Sequence, residues 1–166
     1  DELPLARAVG FADIEAFTRR TAELGSHELA DFVQRFETRA RDVVTGAGGR
    51  VVKTIGDAVL FVGDDVRTGV AVALGLAQTF HDTASPVRVG VVWGRVLSRF
   101  GDVFGPPVNL AARLTAEASP GEVLLDEATA AHLRPDPTVV LEQLAVREVA
   151  GLGAVRPVRV APAPGA

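Results

Sequence analysis

Val51-Val52-Lys53-Thr54-Ile55-Gly56-Asp57-Ala58-Val59-Leu60-Phe61-Val62, residues 51–62, holds two short apolar runs on either side of a Gly-Asp pair. Apolar runs separated by two turn-forming residues are the signature of a β-hairpin. On its N-terminal side, residues 26–44 place Leu29, Phe32, Val33, Phe36, Ala40 and Val43 at helical spacing, with Ser26 expected as the N-cap and glycines at 46, 48 and 49 as the stop. Earlier still, residues 5–14 are apolar and small and give way at Glu15 to a polar stretch, which predicts a buried strand running into a helix. On the C-terminal side a helix is expected over about 65–80 and a strand over 87–93. The resulting order, strand, helix, hairpin, helix, strand, predicts an α+β sandwich in which helices cover an antiparallel sheet.

The remainder adds smaller pieces. An extended segment over 95–103 is interrupted at Gly101-Asp102, and Pro106-Pro107 open a helix to about residue 118, since a helix's first turn needs no N–H from proline. A strand is expected over 121–125, a short helix over 127–133, and final strands over 144–149 and 155–160. Residues 161–166, alternating Ala, Pro and Gly, are expected to be a disordered tail behind a single domain spanning 1–160.

Composition narrows the function. With 166 residues, 48% of them apolar, the chain can bury one sizeable core. No run approaches the roughly 20 apolar residues of a membrane span, and no signal-peptide pattern opens the sequence, so the expectation is a domain without direct membrane contact. A net charge of −4 argues against nucleic acid as partner, and the absence of cysteine excludes disulfides and thiolate metal sites. His27, His81 and His132 are scattered without ligand spacing. Residues 48–54 depart from a phosphate-binding loop, because Val52 stands where its second glycine belongs.

Asp13 ends an apolar strand and Asp57 sits in the hairpin turn, so both carboxylates could reach one sheet edge and share cations. The plainer alternatives are a helix cap for Asp13 and a turn residue for Asp57. Lys53 is open to a salt bridge with Asp57, and Asp102 to a solvated turn. Asn109 and Arg113 are four residues apart on the expected helix, hence on one face about 6 Å apart along it; by themselves they could be an N-terminal Asn and a surface Arg.

Four motifs in sequence order weigh against the plainer alternatives: Phe11-Ala12-Asp13-Ile14-Glu15-Ala16-Phe17-Thr18, then Val52-Lys53-Thr54-Ile55-Gly56-Asp57, then Gly101-Asp102-Val103-Phe104-Gly105, then Val108-Asn109-Leu110-Ala111-Ala112-Arg113-Leu114. Together they resemble class III nucleotidyl cyclase catalytic domains, in the short-arm bacterial adenylate cyclase subgroup. The resemblance runs from about Ala8 to Leu125 and more loosely to Val160. It implies a ferredoxin-like core and a head-to-tail homodimer with active sites at the interface. It further implies conversion of ATP to 3′,5′-cyclic AMP and pyrophosphate, in signal transduction, with two Mg²⁺ or Mn²⁺ ions per site. By that resemblance Asp13, Asp57 and the Ile14 carbonyl are the metal ligands. One ion activates the ribose 3′-hydroxyl and the other neutralises the triphosphate. Backbone amides over 15–18, including Phe17 and Thr18, cradle the β- and γ-phosphates, with Ala16 where the family commonly has Gly. Lys53 and Asp102 read adenine, Asn109 positions the ribose, Arg113 stabilises charge on the α-phosphate, and Arg95 contacts the terminal phosphates.

The chain departs from the family at two points. Leu152 occupies the approximate place of a phosphate-binding lysine, for which Arg147, Arg156 and Arg95 are the candidate replacements. The connection from Arg95 to Asp102 is short, as in members with a reduced dimerisation arm. Two other functions are weighed: a guanylate or mixed-specificity cyclase, and a nucleotide-binding pseudo-cyclase that serves as a dimerisation module. Guanylate cyclases tend to carry Glu and a small residue where this chain has Lys53 and Asp102, and a degenerate member would be expected to lack some of the six positions filled here. The expected setting is the cytosol, with regulatory domains outside this sequence.

Overall fold

The structure, a computed structural model, describes residues 3–14, 22, 24–83 and 85–165. Strand β1 (Leu5–Ile14) lies in the middle of the main sheet, and β2 (Arg50–Ile55) and β3 (Ala58–Gly63) form the expected hairpin. Strand β4 (Val87–Arg99) follows, and the order β2-β3-β1-β4 is antiparallel throughout. That order is the ferredoxin-like core, and it follows from connectivity. Helix α1 (Ser26–Gly46) carries the chain from β1 across to β2, and α2 (Val66–Thr79) carries it from β3 to β4. Each crossover leaves a vacant position that the other half fills. Beyond β4 the sheet continues through β6 (Val123–Leu125), parallel to β4, then β10 (Val158–Pro162) and β7 (Val139–Gln143). Strand β5 (Asp102–Phe104) folds back on the end of β4, while β8 (Arg147–Val149) and β9 (Gly153–Val155) make a separate hairpin.

Alternation along the strands sorts side chains onto two cores. Ala8, Ala12, Phe61, Val89 and Val91 pack beneath α1 and α2 with Phe36, Ala40, Ala73 and Leu76. Val9, Leu60, Val92 and Val96 pack on the opposite face against Ala111 and Leu114 of α3 (Pro106–Glu117) and its C-cap Ala118. Helix α3 sits unusually close to the sheet. A Cβ on Gly90 would lie 2.6 Å from the Thr115 nitrogen and 2.7 Å from the Ala111 carbonyl oxygen. The Thr115 hydroxyl is buried there, 2.8 Å from the Ala111 carbonyl and 3.2 Å from that of Phe11 in β1. No helix among the described residues is long and apolar enough to cross a membrane.

Several boundaries differ from expectation. Gly25, not Ser26, is the N-cap of α1; its N–H donates to the Glu28 carboxylate at 3.1 Å, which leaves Ser26 already helical. Strand β4 runs unbroken through Gly94, whose missing side chain makes room for Pro107, 2.5 Å from where a Cβ would stand. Of the expected strand over 144–149 only β8, its last three residues, is extended, and an additional strand, β7, precedes it and pairs with β10. The expected tail over 161–166 is partly ordered: Ala161 and Pro162 belong to β10, and the Ala163 N–H donates to the Thr138 carbonyl. Pairing with β7 satisfies backbone groups there that the Ala-Pro-Gly composition suggested would be left to solvent.

Candidate active site

Strand register places Asp13 and Lys53 on the α3 side of the sheet. Asp13 shares the parity of Val9, which packs under α3, and is cross-strand neighbour to Ala58, the residue after Asp57. The two carboxylates therefore meet where β1 ends and the β2–β3 hairpin turns. Gly56 makes the turn with φ +59°, a conformation that costs glycine little. The Asp57 carboxyl is held above its ordinary range, first by partial burial and further by the negative charge of Asp13, against the opposing pull of backbone hydrogen bonding and of Arg88.

Arg88 did not stand out in the sequence. It lies opposite Asp13 in the β1–β4 register and donates from Nε to Asp13 Oδ1 at 2.6 Å, while its Nη1 donates to the Ala116 carbonyl of α3 at 3.1 Å. Cross-strand register would have exposed it, but register depends on tertiary pairing that a local pattern in Pro86-Val87-Arg88-Val89 does not carry. Asp13 is thus an ion-pair partner within the chain, while the helix it was expected to cap lies outside the described residues. The donor set suits a hard divalent ion, since Mg²⁺ is commonly held by one or two carboxylates with water and substrate phosphate completing the shell. No group of three or more His, Cys, Asp or Glu side chains among the described residues could hold a metal by itself.

Lys53 pairs with Asp102 and not with Asp57. Its Nζ donates to Asp102 Oδ2 at 2.7 Å, and the Val103 N–H donates to Asp102 Oδ1 at 2.8 Å. The Lys53 hydrogen bond, then that of Val103, holds the Asp102 carboxyl below its ordinary range. A β-bulge between Val51 and Lys53 sets this strand's register, and β5 brings Asp102 to it across 49 residues of sequence. Asp102 is a half-buried strand residue, so the solvated-turn alternative fails.

Asn109 and Arg113 both lie on the exposed face of α3, opposite Ala111, Leu114 and Thr115. Neither side chain has a hydrogen-bond or ion-pair partner among the described residues. Arg95 does not join the carboxylates within one protomer. It is seven residues along β4 from Arg88, about 23 Å at strand rise, and on the opposite face by parity. Of the other cations considered for the missing lysine, Arg147 is bonded to Glu117 and Arg156 to the Leu144 carbonyl. Phe17 and Thr18, with the amides over 15–18, lie outside the described residues. The structure therefore brings the candidates together as three pairs on one side of the sheet: Asp13 with Asp57, Lys53 with Asp102, and Asn109 with Arg113.

The sequence profile described as adenylate and guanylate cyclase catalytic domain matches residues 6–158. An adenylate cyclase of Glutamicibacter nicotianae is 46% identical over 166 residues, covering 99% of this chain and 41% of the relative. One from Streptomyces coelicolor is 49% identical over 128 residues, covering 76% of this chain and 34% of the relative. The chain thus spans less than half the length of either. The solved catalytic core of a rhodopsin-guanylyl cyclase with converted specificity, in complex with ATPαS, superposes with a TM-score of 0.89 over 98% of this chain and 99% of its own at 22% identity, a likeness of fold. A profile match over nearly the whole chain, together with relatives close to half identical, establishes that this chain belongs to the adenylate and guanylate cyclase catalytic-domain family.

Proposed function

We propose that this domain is an adenylate cyclase that converts ATP to 3′,5′-cyclic AMP and pyrophosphate, and that it does so as a homodimer. The observation that carries the choice of nucleotide is the Lys53–Asp102 pair, an ammonium and a carboxylate held 2.7 Å apart. Adenine offers an acceptor at N1 and a donor on the exocyclic amine, so this pair meets it with matched polarity. Guanine reverses both positions and leaves two charged protein groups without good partners. Relatives named adenylate cyclase support the same choice.

The residues divide the reaction between them. Asp13 and Asp57, with the Ile14 carbonyl, are the groups that would hold two Mg²⁺ or Mn²⁺ ions; when bound, these ions supply charge neutralisation and a lowered pKa for the attacking hydroxyl. Occupancy is favoured because a cation between the two carboxylates offsets both the burial and, secondarily, the Asp13 charge that hold the Asp57 carboxyl high. Asn109 orients the ribose so that the 3′-oxygen lies in line with the α-phosphorus, and Arg113 offsets charge building on the α-phosphoryl oxygens. In the two-fold dimer each site takes its aspartates from one protomer and the other four groups from its twin. The exposed side chains of Asn109 and Arg113, without partners among the described residues, support that division.

Incubating the domain with Mg²⁺ or Mn²⁺ and either ATP or GTP, then separating the products, tests the proposal. Cyclic AMP with equimolar pyrophosphate is expected. Cyclic GMP as main product would make the domain a guanylate cyclase, and unchanged bound ATP would make it a binding module.

A further inference from the structure

Helix α3 has no basic residue of its own in its last turn, where a helix exposes unpaired carbonyls and the negative end of its dipole. Two arginines from elsewhere fill that need. Arg88 of β4 donates to the Ala116 carbonyl at 3.1 Å, and Arg147 of β8 donates from Nη1 to the Glu117 carbonyl at 3.0 Å and to Glu117 Oε1 at 3.3 Å. Both Arg147 and Glu117 are about one-third exposed at the side chain. The contact therefore sits in a partly desolvated seam, where a charged hydrogen bond counts for more than on an open surface. Asn109, Arg113 and Glu117 follow one another at intervals of four residues, so they lie along a single stripe of the helix.

We propose that Arg147 is a positioning residue for the cyclase reaction: by clamping the C-terminal end of α3 to the β8–β9 hairpin, it fixes the placement of Asn109 and Arg113 without touching the nucleotide. The inference rests on the roles given to those two residues under Proposed function. It also sets Arg147 apart from the candidates for the absent phosphate-binding lysine, because its Nη1 is turned to Glu117. Arg88 shares the helix end, yet it also holds Asp13, so its replacement would disturb the carboxylates directly. Arg147 separates the two effects.

A double-mutant cycle on the purified dimer provides the test, with kcat and KM for ATP measured for wild type, Arg147→Ala, Arg113→Ala and the double variant. A shift of the helix by a fraction of an ångström should lower kcat roughly 10- to 100-fold in Arg147→Ala while KM changes by less than about twofold. Arg147→Lys should recover most of the loss, since an ammonium can still donate to the Glu117 carbonyl. In the Arg113→Ala background the same Arg147→Ala change should cost several-fold less than in the wild type, because the part of its effect carried by Arg113 is already removed and only that through Asn109 remains. Equal losses in both backgrounds would show a general structural role and overturn the proposal, as would a raised KM with kcat retained, the mark of a phosphate contact. Wild-type turnover in Arg113→Ala would instead reject the catalytic assignment on which this rests, and the proposal with it. Should Arg147→Ala fail to fold, the cycle run with Glu117→Gln, which keeps the backbone acceptor, should give a smaller loss with the same dependence on Arg113, and additivity there would overturn it equally.

Discussion

Asp57, a metal ligand in the proposed reaction, is held in a state that the fold itself does not favour. Partial burial beside the charge of Asp13 keeps its carboxyl above the ordinary range, so the ionised form is a burden on the folded protein. A raised carboxyl pKa contributes stability below the unfolded value of about 3.9 and loses it as pH rises through the folded value. Asp57→Asn should accordingly raise the melting temperature at neutral pH by on the order of 1–3 °C, a small gain because solvent screens a side chain this accessible. The gain should vanish below about pH 4, where both forms are uncharged. Cyclase activity should be lost in the same variant, and Mn²⁺-ATP should raise the melting temperature of the wild type but not of the variant; calorimetry across pH and metal reads all three. The Lys53–Asp102 pair allows a sharper test of nucleotide choice. Replacing both, Lys53→Glu with Asp102→Ser, reverses the polarity offered to the base. With two charged hydrogen bonds at stake, the ratio of kcat/KM for ATP over GTP should fall roughly 100-fold. An unchanged ratio would mean that the base is read elsewhere.

At the scale of elements, the position of α3 depends on one absent side chain. Gly90 lets the helix backbone approach β4 until the Thr115 nitrogen stands 2.6 Å from the site of a Cβ, and no flexible side chain there can yield. Gly90→Ala should therefore push α3 off the sheet and destabilise the domain by about 1–3 kcal/mol. Because α3 carries Asn109 and Arg113, turnover should fall further than this loss of stability explains, which kinetics at a temperature well below melting would reveal. The elements themselves were largely legible beforehand. The hairpin around Gly56-Asp57 and the amphipathic α1 carry strong local periodicity, and β1 was placed to its observed ends. Strand β7 escaped notice because its five residues, Val139–Gln143, become a strand only by pairing with β10, a partner supplied by tertiary structure. Gly94 misled for the opposite reason: a residue that ordinarily interrupts a strand here makes space for Pro107.

At the scale of the whole molecule, the proposed division of each site between two protomers explains why the three pairs lie apart on one chain. Motif order in the sequence picked out six candidate positions, but it could not show that Lys53 turns to Asp102, or that Arg88 occupies Asp13, since both facts arise from register between strands distant in sequence. Asn109 and Arg113 lie on the exposed face of α3, away from the buried face that binds it to the sheet, where the proposed division would have them serve a second copy's site. Two-fold symmetry then makes a quantitative prediction. In an equal mixture of Asp57→Ala and Asn109→Ala chains that exchange freely, about half the dimers are mixed, and each mixed dimer has one site with both residues intact and one with neither. Activity should therefore recover to about a quarter of the wild-type value per protomer, although each variant alone is inactive. A mixture of Asp57→Ala with Asp13→Ala supplies the control: both aspartates of a site come from the same chain, every site in every dimer is broken, and no activity should return. Silence in the first mixture, with mixed dimers confirmed by native mass spectrometry, would show that each chain completes its own site and that the division between protomers is wrong.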